Sequence, residues 1–287
     1  MKTLFTILPF LLLSIYAESI GQTDMNKAGV AGNTDGINKH LPLFLGTVNE
    51  TNKSKNSVLP DLRIYLDKLG QKRTRIKSDN KFFNYLFYKT HRKYLKHYQP
   101  HTSVEDILER GTYDCVSGTA FYALLLDYLG MDYEIKEFDF HVLIIAKSGD
   151  RQFLIESTDP TGGLNDNPKE IADRIRYYVD KDNSNNNLSV GSHEQLYQYV
   201  VAINHKNISL TELAGLLHYN NAVYYYNQKK VFKAAASIQK SFALYDSKRI
   251  RAFRQLAARS FLGDPNLTQL QKEKLIDLIG LELVALK

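Results

Sequence analysis

The sequence predicts an α+β fold in which helices pack on a small antiparallel sheet and an all-helical region follows. Three observations predict it. Leucines and aromatics recur at helical spacing from Val58 to Tyr94; short apolar runs of strand length lie between Tyr133 and Glu156; beyond Ser209 apolar, aromatic and small residues return to a helical period.

Composition agrees with a folded chain. The 287 residues suit one good-sized domain and a smaller companion, at roughly 150 residues per domain. Hydrophobic residues at 44% and charged residues at 24% exclude a wholly disordered, collagen-like or multi-span membrane protein. A single cysteine, Cys115, excludes an internal disulfide framework and any multi-cysteine metal site. The formal net charge of +6 is too modest to name a partner.

Met1 and Lys2 precede an apolar run from Leu4 to Leu13 that contains Pro9, and small or polar residues follow from Ser14 to Gly21. This layout is that of a secretory signal peptide over residues 1–17, because the run falls short of the ~20 apolar residues of a membrane span. The chain is expected to be exported, periplasmic or secreted, with no integral membrane segment after signal removal. Residues 18–57, rich in Gly, Asn, Thr and Lys, read as a flexible leader.

The α+β domain is expected over residues 58–205. Leu59, Leu62, Leu66 and Leu69 make one helical stripe that Gly70 ends. A second stripe runs through Phe83, Leu86, Phe87, Thr90 and Tyr94 after Asp79, and Thr102 and Ser103 start a short third helix. Another helix runs from about Cys115 to a stop at Gly130. Strands follow at Tyr133 to Ile135, His141 to Lys147 and Gln152 to Glu156, the last two joined by the turn Ser148-Gly149-Asp150. Asn167, Pro168 and Glu170 then supply an N-cap, a first-turn proline and a capping acid for a helix carrying Ile171, Ile175, Tyr178 and Val179. Tyr197, Tyr199, Val201 and Ile203 alternate as in a strand.

Residues 206–287 read as helices. Ala222, Tyr225, Ala234, Ile238 and Ser241 fall near the small, aromatic and apolar positions of a tetratricopeptide-like repeat within Leu217 to Asp246, although Asn221 and Asp246 depart from it. One such unit cannot make a solenoid, so these helices are expected to pack on the preceding domain.

A cysteine nucleophile needs its thiolate, an imidazole to move protons and a third group to orient that imidazole. Cys115 stands at a helix start, where free N–H groups and the helix dipole favour the thiolate. His141 opens an apolar strand, and Asp159 follows the next strand, where antiparallel pairing would bring the two side by side. The candidate catalytic residues are therefore Cys115, His141 and Asp159.

The order of cysteine at a helix start, histidine at a strand start and the segment Asp159-Pro160-Thr161 resembles the transglutaminase-like superfamily, whose core packs helices on an antiparallel sheet around a papain-like Cys-His-Asp triad. The resemblance covers about Gly111 to Gly163. It implies Cys115 as nucleophile, His141 as general base and acid, and Asp159 as orienter. Val142 stands where family members often carry an aromatic residue. No upstream side chain clearly completes an oxyanion hole; Gln99 and Tyr113 are the nearest candidates, beside the backbone N–H of Cys115.

The expected activity is cysteine-dependent acyl transfer, most simply hydrolysis of an amide or peptide bond through a thioester, on a protein or peptide substrate. The alternative is an inactive relative that binds peptides or proteins through its C-terminal helices. No cofactor and no metal are expected, since His91, His97 and His101 do not share one helix face. No nucleic acid is expected either, since Lys89, Arg92, Lys93 and Lys96 read as a solvated helix face.

Overall fold

The computed structural model describes residues 34–45, 55–185 and 206–280. The expected signal peptide and the strand expected at 197–203 lie outside the described residues. Three helices come first: α1 (Thr34–Phe44), α2 (Lys55–Arg75) and α3 (Asp79–Tyr94). The short strands β1 (His97–Tyr98) and β2 (Thr112–Tyr113) flank α4 (Val104–Arg110) and pair in parallel. Helix α5 (Cys115–Tyr128) leads to strands β3 (Tyr133–Glu137), β4 (Val142–Ser148), β5 (Arg151–Ile155) and β6 (Leu164–Asn165). Helix α6 (Pro168–Asn185) and strand β7 (Lys206–Ile208) precede α7 (Leu210–Asn227), α8 (Val231–Leu244), α9 (Lys248–Gly263) and α10 (Gln269–Ile279).

The molecule is a mixed helix and sheet structure. Its main sheet has five strands in the order β6-β5-β4-β3-β7, every neighbour antiparallel. Strand β4 is buried at five successive positions, Val142 to Ala146, because both faces of the sheet are covered. Val142, Ile144, Phe153 and Ile155 join the main core with α5. Leu143, Ile145 and Leu154 face the other way and meet Ile171 of α6.

Helix α5 is central because its sequence is apolar almost all round, with nearly every residue from Val116 to Tyr128 buried. Phe121, Tyr122, Leu125 and Leu126 are fully enclosed, and the Tyr122 hydroxyl donates to the Phe87 carbonyl of α3 at 2.9 Å. Phe83 of α3 stacks on Phe153 of β5 with ring centroids 4.1 Å apart. These aromatics tie the helical layer to the sheet.

Two expectations about organisation change. Part of the expected leader is ordered: α1 buries Ile37 and Phe44 in the main core and His40 contacts Asp127 of α5 at 3.0 Å. Its apolar patch outweighs the polar composition around it. The expected boundary at 205/206 is not a structural division, because β7 pairs with β3 and the core containing α5 runs on into α7, α8, α9 and α10. No helix among the described residues is long and apolar enough to cross a membrane.

Candidate functional site

Cys115 occupies the first position of α5, as its sequence context dictates. Asp114 is the N-cap; its carboxylate accepts the Ser117 N–H at 2.8 Å while the Ser117 hydroxyl accepts the Asp114 N–H at 2.9 Å, a reciprocal capping box. Thr102 ties the cap to the start of α4, through its own N–H to Asp114 at 3.3 Å and its hydroxyl to Ser117 at 3.1 Å. The helix entry is thus fixed from two directions.

The same face of α5 meets the sheet. Helical residues three and four apart share a face, so Cys115, Gly118 and Thr119 form one stripe. Thr119 donates to the Val142 carbonyl at 3.3 Å, next to His141. Gly118 allows the close approach: a Cβ there would lie 2.7 Å from the buried Ser157 hydroxyl. Gly118 and Thr119 therefore hold the first turns of α5 against Ser157 and the start of β4 that His141 precedes.

His141 closes a tight turn, with Phe138 N–H donating to its carbonyl at 2.8 Å. Its ring stacks on Tyr178 of α6, centroids 4.4 Å apart and nearly coplanar at 19°. Nε2 lies 3.1 Å from Glu156 Oε1, an ion-pair distance without the alignment of a directed hydrogen bond. Among the described residues no hydrogen bond joins the Cys115 sulfur to His141.

The carboxylate beside the histidine is Glu156, whereas the sequence suggests Asp159. Asp159 instead folds back on its own turn, accepting the Gly162 N–H at 2.8 Å and the Thr161 N–H at 3.3 Å. The two acids share Arg174, which donates to Glu156 from one nitrogen and to Asp159 from the other. Tyr178 also donates to Glu156. Burial works against ionisation of Glu156, yet His141, Tyr178 and the Arg174 charge outweigh it and hold its carboxyl below the usual range. Asp159 is likewise held low: its burial is outweighed by the Gly162 and Thr161 amides and by Arg174. A signal for Glu156 exists in the sequence, since it ends an apolar strand opposite the start of β4, and Arg174 and Tyr178 share a helix face.

The thiol differs from expectation. Cys115 retains some exposed surface, but the packing around its sulfur pushes the thiol up to about 12, and the neighbouring Asp114 adds to this. The backbone N–H groups of the helix start and the charge of Arg249 act in the opposite sense and do not offset burial. Helix position favours the thiolate as expected; desolvation is the larger effect. Of the side chains considered for an oxyanion hole, Tyr113 is buried and Gln99 is exposed, its N–H donating to the Tyr113 carbonyl at 2.8 Å.

A cavity of about 590 Å³ adjoins this arrangement, with Arg174, Tyr177, Tyr178, Glu170 and Asp173 of α6 in its wall. Its size suits a small ligand or side chain. His91 is buried among Phe87, Tyr113 and Tyr122, and burial lowers it to about 4, so it is neutral. Lys89, Arg92, Lys93 and Lys96 are exposed. Among the described residues no group of three or more His, Cys, Asp or Glu side chains could hold a metal ion. No family model, no curated protein and no solved structure matches the chain.

Proposed function

We propose that the protein is an exported cysteine-dependent acyl-transfer enzyme of transglutaminase-like character that hydrolyses an amide or peptide bond. The observation that carries this reading is the buried Glu156 carboxylate, held ionised by Arg174 and Tyr178 and set 3.1 Å from His141 at the strand end that α5 meets. An ionised carboxylate against an imidazole favours the protonated ring that accepting a thiol proton would produce.

In this reading Cys115 is the nucleophile, His141 the general base and acid, and Glu156 takes the orienting role first given to Asp159. Asp159 supports it through Arg174. The resting thiol is neutral. The imidazole of His141 takes the thiol proton as sulfur attacks the carbonyl carbon. Collapse of the tetrahedral intermediate breaks the C–N bond, and the same proton leaves with the amine. Water then cleaves the thioester, again with His141 as base. The cavity beside Tyr178 gives a substrate side chain a place to lie.

The test is alkylation of Cys115 by iodoacetamide, followed from about pH 6 to 10 in the full chain and in His141→Ala and Glu156→Gln. Slowing by about ten-fold or more in His141→Ala, with a smaller effect in Glu156→Gln, supports the reading. Unchanged rates in both variants overturn it. A second reading, a peptide- or protein-binding module without turnover, draws on the high thiol pKa and the absent Cys115–His141 hydrogen bond.

A further inference from the structure

We propose that Arg249, on α9 among the C-terminal helices, is a positioning residue of the Cys115–His141 site, clamping the turn from which His141 projects. The proposal rests on the acyl-transfer reading and adds a part of the site that lies far away in sequence.

The turn runs from Glu137, the last residue of β3, to His141. Arg249 reaches it at three points: its guanidinium donates to the Phe138 carbonyl at 3.4 Å, lies 3.6 Å from the Asp139 carboxylate and stands 3.9 Å from Glu137 Oε1. Glu137 is fully buried, and its Oε2 receives the Tyr245 hydroxyl from the end of α8, while Oε1 has no hydrogen-bond partner. Burial pushes the Glu137 carboxyl up, and the Arg249 charge is the largest influence acting against it, with the Tyr245 hydroxyl and Lys206 in the same sense. The guanidinium is itself only 15% exposed, which keeps the attraction from being screened away.

The corner between α8 and α9 therefore docks on the end of β3 through Tyr245 and Arg249. The Phe138 N–H to His141 carbonyl bond closes the turn, so fixing Phe138 and Asp139 fixes the backbone that carries the imidazole. Arg249 also bears on the nucleophile, where its charge favours the ionised form of Cys115. The groups acting on that thiol are Asp114, which opposes ionisation, and the helix N–H groups and Arg249, which favour it; Tyr98 is close enough to be affected in turn.

The experiment compares the full-length protein with Arg249→Lys, Arg249→Gln and the double variant Glu137→Gln plus Arg249→Gln, which removes the buried Glu137 carboxyl together with the guanidinium beside it. Each is melted, and the iodoacetamide reaction of Cys115 is followed from about pH 6 to 10. The double variant is expected to melt close to the parent, to label on the order of five-fold more slowly near pH 8.5 and to shift its rate profile to higher pH. Arg249→Lys should recover much of the rate, because it keeps the charge. A profile of the double variant that superimposes on the parent overturns the proposal, because a purely structural arginine changes melting and leaves the profile in place. Alkylation needs no substrate: a shifted profile without amide turnover counts against acyl transfer alone, and turnover with an unshifted profile counts against Arg249 alone.

Discussion

Asp159 is linked to Glu156 through Arg174, one guanidinium nitrogen on each acid. The two carboxylates thus have unequal access to the imidazole: Glu156 stands beside His141, and Asp159 acts through an intermediary. In the acyl-transfer reading proposed above, Glu156→Gln is expected to lower amide turnover by about 10²-fold or more, and Asp159→Asn by about ten-fold or less. Steady-state kinetics of the two variants on one substrate checks the ranking, and a larger loss in Asp159→Asn reverses the assignment.

Gly163 offers a stability test at the same turn. A Cβ there would lie 2.2 Å from the Glu156 carbonyl and 2.4 Å from the Asp159 carbonyl, backbone atoms that cannot swing aside. Gly163→Ala should cost about 2 kcal/mol or more in denaturant unfolding and disturb Glu156 with it. A cost within about 0.5 kcal/mol contradicts the geometry.

Thr119→Val keeps the shape of the buried side chain and removes its bond to the Val142 carbonyl. The expected loss is about 1 kcal/mol of stability, with a larger relative loss of Cys115 reactivity, because the bond joins the helix that Cys115 begins to the strand that follows His141. Denaturant melts and labelling rates on the same samples separate the two effects.

Acid should unfold the protein earlier than its carboxylates alone require. Burial lowers both His91 and His218 to about 4, below the ordinary imidazole value near 6.5. Between those values the unfolded chain binds protons that the folded chain refuses, so stability is complete above about pH 6.5 and is lost as pH falls toward 4. The low carboxyls of Glu156 and Asp159 act in the same direction at lower pH, their contribution being lost as they protonate. Melting temperatures across this range should fall in the parent and fall less steeply in His91→Phe; parallel curves would exclude His91 as a contributor.

The pattern of α5 and of the β4–β5 hairpin is legible in the sequence because local physics decides it. Asp114 and Ser117 cap a run too apolar for the surface, and Gly149 supplies the positive φ that the hairpin turn needs. Asn167 caps α6 as expected, accepting the Lys169 N–H at 3.0 Å, while Glu170 is held by Asn165 instead of closing a capping box. Helix α1 is hidden by Pro42 within it and by the polar residues around Ile37 and Phe44; only contact with the core makes it worth forming. Glu156 shows only part of its signal in the sequence, for a related reason. A charge at the end of an apolar strand reads as the solvent boundary until Arg174 and Tyr178, contributed by a later helix, enclose it. The thiol follows the same rule, since its helix position is written locally and the surroundings that desolvate it come from the rest of the chain.

The bond between Tyr245 and Glu137 spans 108 positions along the chain. A ribosome delivers β3 long before the residue that caps its buried carboxylate, and β7, which covers the strand's outer edge, also emerges late. Until then the nascent sheet carries an open edge and an uncompensated acid, both of which oppose early closure. The corner around Glu137 is therefore complete only once Arg249 has emerged, and helices α7 to α10 share one core with the part of the chain that carries His141.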